Sequence, residues 1–211
     1  MQRFFIKTPW IAKKFFPDYI WSIPANDKSI YLSFDDGPHP RITPWVLELL
    51  KQHNSLATFF CLGSNVEMYP DVYKRIIDEG HAVGNHSWSH YNGWYTPNEV
   101  YLNDVAKAVP LINSNLFRPP YGRIKTAQAK AIPSAMKRED AKLIMWDVLS
   151  GDFDTSYSRS RCLKNVMKNY EPGSIIVFHD SEKAFMNLEY VLPKLLVRLE
   201  EEGYKCRKIE M

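Results

Sequence analysis

The chain has 211 residues, of which 45% are hydrophobic and 24% charged, which predicts one globular domain with a substantial core and excludes a disordered chain. A net charge of +3 is too small for the concentrated basic surface of a nucleic-acid-binding protein, so no nucleic-acid partner is expected. Three cysteines, Cys61, Cys162 and Cys206, are too widely spaced for a disulfide framework or a C-x-x-C metal site.

Residues 1–28 are predicted to form a basic and aromatic extension that packs on the main domain, residues 29–211. Lys7, Lys13 and Lys14 interrupt the N-terminal segment too often for the apolar region of a secretory signal. No run of ~20 apolar residues follows that could cross a membrane. A cytoplasmic or peripheral membrane location is therefore expected.

Two interpretations of the aromatic side chains in residues 1–21 are open. Chain-end aromatic residues most often pack against the fold, which is the favoured prediction. The alternative is weak contact with a membrane surface, where aromatic rings anchor the segment and lysines face anionic lipid. The residues concerned are Phe4, Phe5, Trp10, Phe15, Phe16 and Trp21.

Short apolar runs rich in β-branched and aromatic residues predict strands, and capping signals before longer amphipathic runs predict helices. Thr43 is predicted to cap a helix that begins at Pro44, and residues 96–99 have the spacing of a capping box. The predicted strands cover residues 29–34, 56–62, 81–85, 116–117, 141–148, 174–178 and 204–209. The predicted helices cover residues 44–53, 70–79, 98–109, 126–138, 158–169 and 187–202.

This alternation of strands and helices predicts a parallel sheet with helices packed outside it. The strands are continuous apolar runs, as expected when both faces of a sheet are buried. Roughly seven strand–helix steps favour an α/β fold with a distorted or incomplete (β/α) barrel in a single domain. An open doubly wound sheet is the alternative.

Polar side chains follow several of the predicted strands. The carboxyl ends of parallel strands form the face on which α/β proteins build their sites, so these side chains are expected to converge. The residues are Asp35, Asp36, His86, His90, Arg118, Asp147, Asp152, His179 and Asp180.

The histidines of the segment HSWSH, His86 and His90, are four residues apart and share a face if the segment is helical. Together with a carboxylate from another strand they form a three-ligand set. Such a set suits catalytic Zn²⁺, because it leaves a coordination position open for water or substrate. The same set suits non-haem Fe(II), so a mononuclear oxygenase remains an alternative.

Asp35 and Asp36 are adjacent, and Gly37-Pro38 ends the strand directly after them, so both carboxylates can reach one pocket. One carboxylate can then bind the metal while its neighbour accepts a proton from water. Arg118, held in the stiff segment FRPPYG, is a candidate to keep an aspartate ionised. His179 is a candidate general acid, because an imidazole titrates near neutrality.

With these residues in place, the chain from about Ile30 to its C-terminus resembles the polysaccharide deacetylase family (carbohydrate esterase family 4, the nodulation-factor deacetylase homology domain). The motifs that carry the resemblance occur in the family's order. They are SFDDGP at 33–38, HSWSH at 86–90, RPPYG at 118–122, WDVLSGDF at 146–153 and IIVFHDS at 175–181.

The resemblance implies a role for each matching residue and makes residues 29–211 the catalytic domain. The metal ligands would be Asp36, His86 and His90, with zinc as the usual ion. Asp35 would be the general base and Arg118 its partner. The backbone N–H of Tyr121 would stabilise the oxyanion. His179 would be the general acid, and Asp152 would be the partner that tunes the acidity of His179.

The fourth motif departs from the family pattern at Leu149 and Phe153, which leaves Asp147 and Asp152 as alternatives for the tuning role. We predict Asp152. The expected function is metal-dependent removal of acetyl groups, most of all N-acetyl groups from an amino-sugar oligo- or polysaccharide. O-acetyl esterase activity, an Fe(II) oxygenase and a non-catalytic glycan-binding protein are the alternatives.

Overall fold

A computed structural model of the protein describes residues 4–211, so Met1–Arg3 of the predicted extension lie outside the described residues. The sheet runs in the order β5-β4-β3-β2-β1-β7-β6, and β8 pairs with β1. Every ladder is parallel. The strands are β1 (Ser29–Asp35), β2 (Ala57–Cys61), β3 (Ala82–Asn85), β4 (Leu116–Phe117), β5 (Lys142–Leu143), β6 (Val148–Leu149), β7 (Ile175–His179) and β8 (Lys205–Cys206).

Seven of these strands curl into a half-barrel that the helices surround, which confirms the predicted incomplete (β/α) barrel. The helices are α1 (Trp10–Phe15), α2 (Ile42–Gln52), α3 (Gly63–Met68), α4 (Pro70–Asp78), α5 (Asn98–Ala108), α6 (Thr126–Met136), α7 (Arg159–Met167) and α8 (Glu182–Glu201). Across residues 4–211 no helix combines the length and the apolar character needed to cross a membrane.

Both faces of the central strands are buried. Leu32 and Phe34 of β1 pack toward the helices with residues of α2 and α8, while Phe60 of β2 belongs to a separate cluster with Ile144 and Ile175. A parallel strand that is covered on both sides reads as one apolar run, which is why β1, β2 and β7 are recognisable in the sequence.

The single strand predicted over residues 141–148 is wrong. This run divides into β5, which pairs with β4, and β6, which pairs with β7 at the opposite end of the sheet. Residues 144–147 cross between the two edges, so they cannot form a ladder with both. Ile144 and Met145 are nevertheless buried, which explains their apolar, strand-like sequence.

The predicted helix caps at Thr43 and Thr96, and the predicted start of α8, also need correction. Helix α2 begins at Ile42, because His39 Nδ1 accepts hydrogen bonds from the backbone N–H groups of Arg41 and Ile42 at 3.3 and 3.2 Å. Helix α5 begins at Asn98 without a side-chain cap. The Thr96 hydroxyl donates instead to the Asn92 carbonyl at 2.8 Å. Helix α3 lies outside the predicted elements, and α8 begins at Glu182 rather than at residue 187.

The N-terminal segment, residues 4–23, pairs with both edges of the half-barrel. On one side Thr8 N donates to Asp147 O and Leu149 N donates to Ile6 O, both at 2.8 Å, in an antiparallel arrangement next to β6. On the other side Ile20 N donates to Leu143 O at 2.9 Å and Met145 N donates to Ile20 O at 2.7 Å. These bonds cover backbone groups that an open barrel would leave unpaired.

Asp147 anchors this segment and lies away from the carboxyl ends of the strands, contrary to the prediction. Its buried carboxylate binds Lys7 Nζ at 2.6 Å and Lys13 Nζ at 2.7 Å, and it accepts a hydrogen bond from Ser174 Oγ, just before β7, at 2.5 Å. Burial raises the pKa of this carboxyl, but the hydrogen bonds from Lys13, Lys7 and Ser174 outweigh burial and hold the pKa below its usual value.

The predicted packing of all six N-terminal aromatic residues is wrong for most of them. Phe4 packs against Phe153 and Tyr157, with ring centroids 5.2 and 5.7 Å apart, and Trp21 is half-buried. The other four side chains are exposed to solvent: Phe5 by 70%, Trp10 by 72%, Phe15 by 74% and Phe16 by 45%.

Replacement of Asp147 by Asn should lower the unfolding temperature, because Lys7 and Lys13 lose a buried ionic partner. Hydrogen bonds to charged groups contribute about 1.5–3 kcal/mol each, which sets the scale of the expected loss. Thermal unfolding followed by circular dichroism measures it. Since the pKa of Asp147 is lowered, its contribution is complete above the ordinary carboxyl pKa of about 4 and is lost as the pH falls through the folded pKa.

Asp140→Asn is the matched control, because the ion pair between Asp140 and Arg138 is exposed. We expect this variant to unfold at the wild-type temperature. Equal unfolding temperatures for the Asp147 and Asp140 variants would contradict the anchoring role.

Candidate active site

Asp35 and Asp36 stand at the carboxyl end of β1 and line the same cavity. On a regular strand they would point to opposite faces. Asp36 instead has a φ of +79°, which turns the backbone so that both carboxylates face the cavity. Asp35 is buried, and its Oδ1 accepts a hydrogen bond from Arg118 Nη1 at 2.7 Å.

The side chains of Asp36, His86 and His90 converge on one point. Each offers one ligand atom, and these atoms lie within 4.8 Å of one another. Asp36 Oδ1 is 3.2 Å from His90 Nε2 and 3.7 Å from His86 Nε2. This buried oxygen accepts no hydrogen bond from any residue in the described part of the chain. Two imidazoles and a carboxylate with an unpaired buried oxygen fit a divalent cation.

His86 is oriented as a metal ligand would be. Its Nδ1 lies 2.7 Å from the Arg118 carbonyl oxygen, which makes Nδ1 the donor and leaves the Nε2 lone pair facing Asp36. Burial lowers the pKa of His86 to about 4, so the ring is neutral at physiological pH.

His86 and His90 do not share a helix, although both histidines reach the site. The segment is a loop in which Ser87 and His90 adopt positive φ values of 67° and 60°. Asp104 on α5 holds the loop, because its Oδ2 accepts hydrogen bonds from the backbone N–H groups of Trp88 and Ser89 at 3.0 and 2.9 Å.

His179 and Asp152 form a second pair in the site. His179 Nδ1 lies 2.8 Å from Asp152 Oδ1, and the His179 backbone N–H donates to Asp152 Oδ2 at 2.8 Å. Burial lowers the pKa of His179, but the charge and hydrogen bond of Asp152, with the charges of Asp36 and Asp35, outweigh burial and raise the pKa to about 9. Asp147 makes no such contact, so the geometry pairs His179 with Asp152.

Tyr121 lies at the cavity in a single 3₁₀ turn, Pro120–Gly122, with a φ of +60°. Its ring centroid is 4.5 Å from that of His90. Gly122 follows with a φ of +64°, and a Cβ there would lie 2.4 Å from the Trp146 ring. Only glycine fits this approach, so the Trp146 ring and Gly122 together fix the backbone of Tyr121.

The cavity has a volume of about 360 Å³, and some of its lining was not predicted. Phe4, Trp146, Phe153 and Lys183 line it together with the predicted residues. Trp146 and Phe153 lie in a motif that the sequence does reveal. Phe4 reaches the cavity through a contact with Phe153 across the chain, and no local sequence signal indicates that contact.

Residues 22–137 match the family model named polysaccharide deacetylase. A peptidoglycan-N-acetylglucosamine deacetylase of Bacillus cereus is 35% identical over 197 residues, which cover 88% of this chain and 69% of that protein. A chitooligosaccharide deacetylase of Azorhizobium caulinodans is 33% identical over 165 residues, which cover 75% of this chain and 76% of that protein.

Solved structures of related proteins have the same fold. A crystal structure of a peptidoglycan N-acetylglucosamine deacetylase aligns with a TM-score of 0.82 and 34% identity, covering 95% of this chain and 93% of that one. A carbohydrate esterase family 4 pseudoenzyme of Bacillus anthracis aligns with a TM-score of 0.78 and 27% identity, covering 92% of this chain and 68% of that one.

The half-barrel and these similarities define a carbohydrate esterase of the (β/α) barrel class. The chain belongs to the polysaccharide deacetylase family, as the sequence motifs predicted, and is a deacetylase. Enzymes of this family are metal-dependent, and Asp36, His86 and His90 form a possible metal-binding group.

The raised pKa of His179 and the lowered pKa of His81 can be measured directly in metal-free protein. In a pH titration followed by histidine ring NMR signals, His179 should titrate near pH 9, and Asp152→Asn should move its midpoint to lower pH. His81 is the internal control. Burial lowers its pKa to about 4, and the substitution should leave it there.

The pairing of His179 with Asp152 also affects the free energy of unfolding. Because the folded pKa of His179 is raised, its contribution is complete below the ordinary histidine pKa of about 6.5 and is lost as the pH rises through about 9. A His179 midpoint that is unchanged in Asp152→Asn would contradict this account of the shift.

Proposed function

We propose that the protein removes the acetyl group from N-acetylated amino sugars of an oligo- or polysaccharide, by metal-dependent hydrolysis. One observation carries the proposal: a three-ligand cluster, an aspartate held by Arg118 and a histidine paired with Asp152 line a single cavity. The names of the relatives support peptidoglycan-type or chitin-type glycans as the substrate class.

Asp36, His86 and His90 would hold the metal, and Zn²⁺ is the ion we propose. When bound, the ion would supply Lewis-acid chemistry, since it polarises a carbonyl and lowers the pKa of water. Fe(II) accepts the same ligands. Hydrolysis, unlike oxygenation, has a use for a base at Asp35 and an acid at His179, so the neighbouring residues favour the hydrolytic enzyme.

Asp35 is proposed as the general base that takes a proton from the attacking water. Its carboxylate is held by an ionic bond to Arg118, and a carboxylate in this position can accept a proton. The Tyr121 backbone N–H is proposed to donate a hydrogen bond to the oxyanion that develops on the acetyl group. A preorganised donor of this kind contributes ~3–4 kcal/mol to the stabilisation of a transition state.

His179 is proposed as the general acid that protonates the leaving amine. The raised pKa keeps its ring protonated at neutral pH, so the proton is available when the carbon–nitrogen bond breaks. Asp152 orients the ring through Nδ1 and leaves Nε2 free to face the substrate.

Acetate release tests the proposal. Protein stripped by chelator and then supplied with Zn²⁺ should release acetate from N-acetylglucosamine oligomers or peptidoglycan fragments, and the stripped protein should not. Asp35→Asn should lower kcat by about 10²–10⁴-fold, the usual contribution of a general base. Acetylated xylan tests O-deacetylation in the same assay.

Asp71→Asn, at the exposed start of α4, is the control and should keep wild-type activity. Zinc uptake without acetate release from any of these glycans would favour the non-catalytic alternative. That outcome has a counterpart in the pseudoenzyme relative of the same fold. Failure to take up metal would overturn the proposed ligand set.

We also propose that the N-terminal segment contacts an anionic membrane surface, which would make the protein a peripheral membrane protein. Lys13 turns one side of α1 toward Asp147. With about 3.6 residues per turn, Ile11 and Phe15 then project from the opposite side, and both are exposed. Trp10 is exposed as well, and Lys14 Nζ lies 6.0 Å from its ring centroid. Exposed aromatic residues beside lysine are typical of interfacial segments.

The charge of the neighbouring surface supports an anionic partner. Arg161, Lys164 and Lys168 line a groove with Ile6 of the N-terminal segment. Within residues 4–211, none of these three cations forms an ion pair. Each basic residue near an anionic bilayer contributes about 1 kcal/mol to binding.

Vesicle sedimentation tests membrane contact. The protein should sediment with phosphatidylcholine vesicles that contain phosphatidylglycerol, and less with phosphatidylcholine alone. Trp10→Ser combined with Phe15→Ser should weaken the partitioning at least about tenfold, since each ring loses apolar burial of about 1.5–3 kcal/mol. Met68→Ser with Met186→Ser removes two side chains that are each 64% exposed elsewhere, and should have no effect. Wild-type protein that stays in the supernatant with both vesicle types would refute the contact.

A further inference from the structure

Phe4 lies in the wall of the catalytic cavity, although it is distant in the sequence from every motif of the site. Its ring centroid is 5.2 Å from that of Phe153. The Phe153 ring in turn meets the edge of the His179 ring, with centroids 4.9 Å apart. Phe4 and Phe153 are therefore continuous with the proposed general acid.

The position of Phe4 is set by its neighbours along the N-terminal segment. Residues 6–8 run antiparallel to β6, with Leu149 N bonded to Ile6 O and Thr8 N bonded to Asp147 O. The Thr8 hydroxyl also donates to the Trp146 carbonyl at 2.8 Å. This direction carries Phe4 from the anchor at Asp147 toward the carboxyl ends of the strands, where the site lies.

The next residue, Phe5, lies outside the cavity lining. Its side chain is 70% exposed, whereas Phe4 lines the cavity. Two adjacent phenylalanines therefore differ in their relation to the site, although they share the same chemistry.

The cavity lining combines two kinds of side chain. The carboxylates and imidazoles described above are polar. The apolar lining consists of Phe4, Trp146, Leu149, Phe153 and Val177. A sugar presents apolar C–H groups on the faces of its ring, and large rigid aromatic side chains provide contact area for such faces at a low cost in conformational entropy.

We propose that Phe4 is a substrate-binding residue, which the N-terminal segment supplies to complete the apolar lining of the cavity against the sugar. This inference rests on the proposed function, because it takes an N-acetylated glycan as the ligand. The contact is made in the bound substrate and in the transition state alike, so it acts on KM rather than on kcat.

Phe4→Ala should raise KM for an N-acetylglucosamine oligomer by about tenfold, the effect of losing an aromatic contact of about 1.4 kcal/mol, and should leave kcat within about twofold of wild type. Phe4→Trp should restore most of the affinity, because it returns an aromatic face. Phe5→Ala is the matched control and should behave as wild type. Unfolding temperatures of all variants separate a binding effect from loss of the fold.

A second measurement makes the test independent of turnover. The dissociation constant of the same oligomer is measured by calorimetry in zinc-supplied protein, both with the wild-type Asp35 and with Asp35→Asn. In each case the addition of Phe4→Ala should raise this constant by the same factor as KM. If wild type binds the oligomer but releases no acetate, the proposed function fails while the role of Phe4 is still measured. Equal constants for the Phe4 and Phe5 variants, a fall in kcat at unchanged KM, or no oligomer binding by wild type would overturn the inference.

Discussion

The guanidinium of Arg118 is fully buried, and a buried charge is tolerated only when it is paired and hydrogen-bonded. Arg118 meets that condition with four hydrogen bonds. Nη1 donates to Asp35 and Ser33 of β1, while Nε and Nη2 donate to the carbonyls of Ile144 and Met145 in the crossing segment. Its own carbonyl orients His86. The side chain and backbone carbonyl of this one residue thus connect the central strand, the crossing between the two sheet edges and a metal-ligand candidate, so the site and the barrel are stabilised by the same bonds.

The cavity also shows how environment divides identical side chains into different roles. Burial outweighs the nearby charges of Asp35 and Asp36 and keeps His86 neutral, which suits a metal ligand, whereas Asp152 keeps His179 charged, which suits a general acid. Asp35 and Asp36 also have different surroundings. Arg118 forms an ion pair with Asp35, whereas two imidazoles face Asp36. Adjacent identical residues are given different chemistry by the groups that meet them.

Much of this arrangement is predictable from the sequence because parallel strands bring their carboxyl ends together. Asp35, His86, Arg118 and His179 each follow an apolar run, so their convergence needs only the fold class. The features that the sequence does not predict depend on contacts between residues far apart in the chain. The run at 141–148 divides because it must cross the barrel, and the HSWSH segment is a loop because Asp104 holds its backbone. Phe4 could not be predicted, because its position follows from pairing with a segment that lies far along the chain.

That pairing has a consequence for the order in which the molecule assembles. The bond between Lys7 and Asp147 spans 140 residues, so the first described part of the chain has no partner until most of the remainder is in place. Closing so long a loop is entropically unfavourable, and contacts of this kind form late in folding. The rest of the cavity lining can therefore assemble before Phe4 reaches it, and docking of the N-terminal segment completes the pocket.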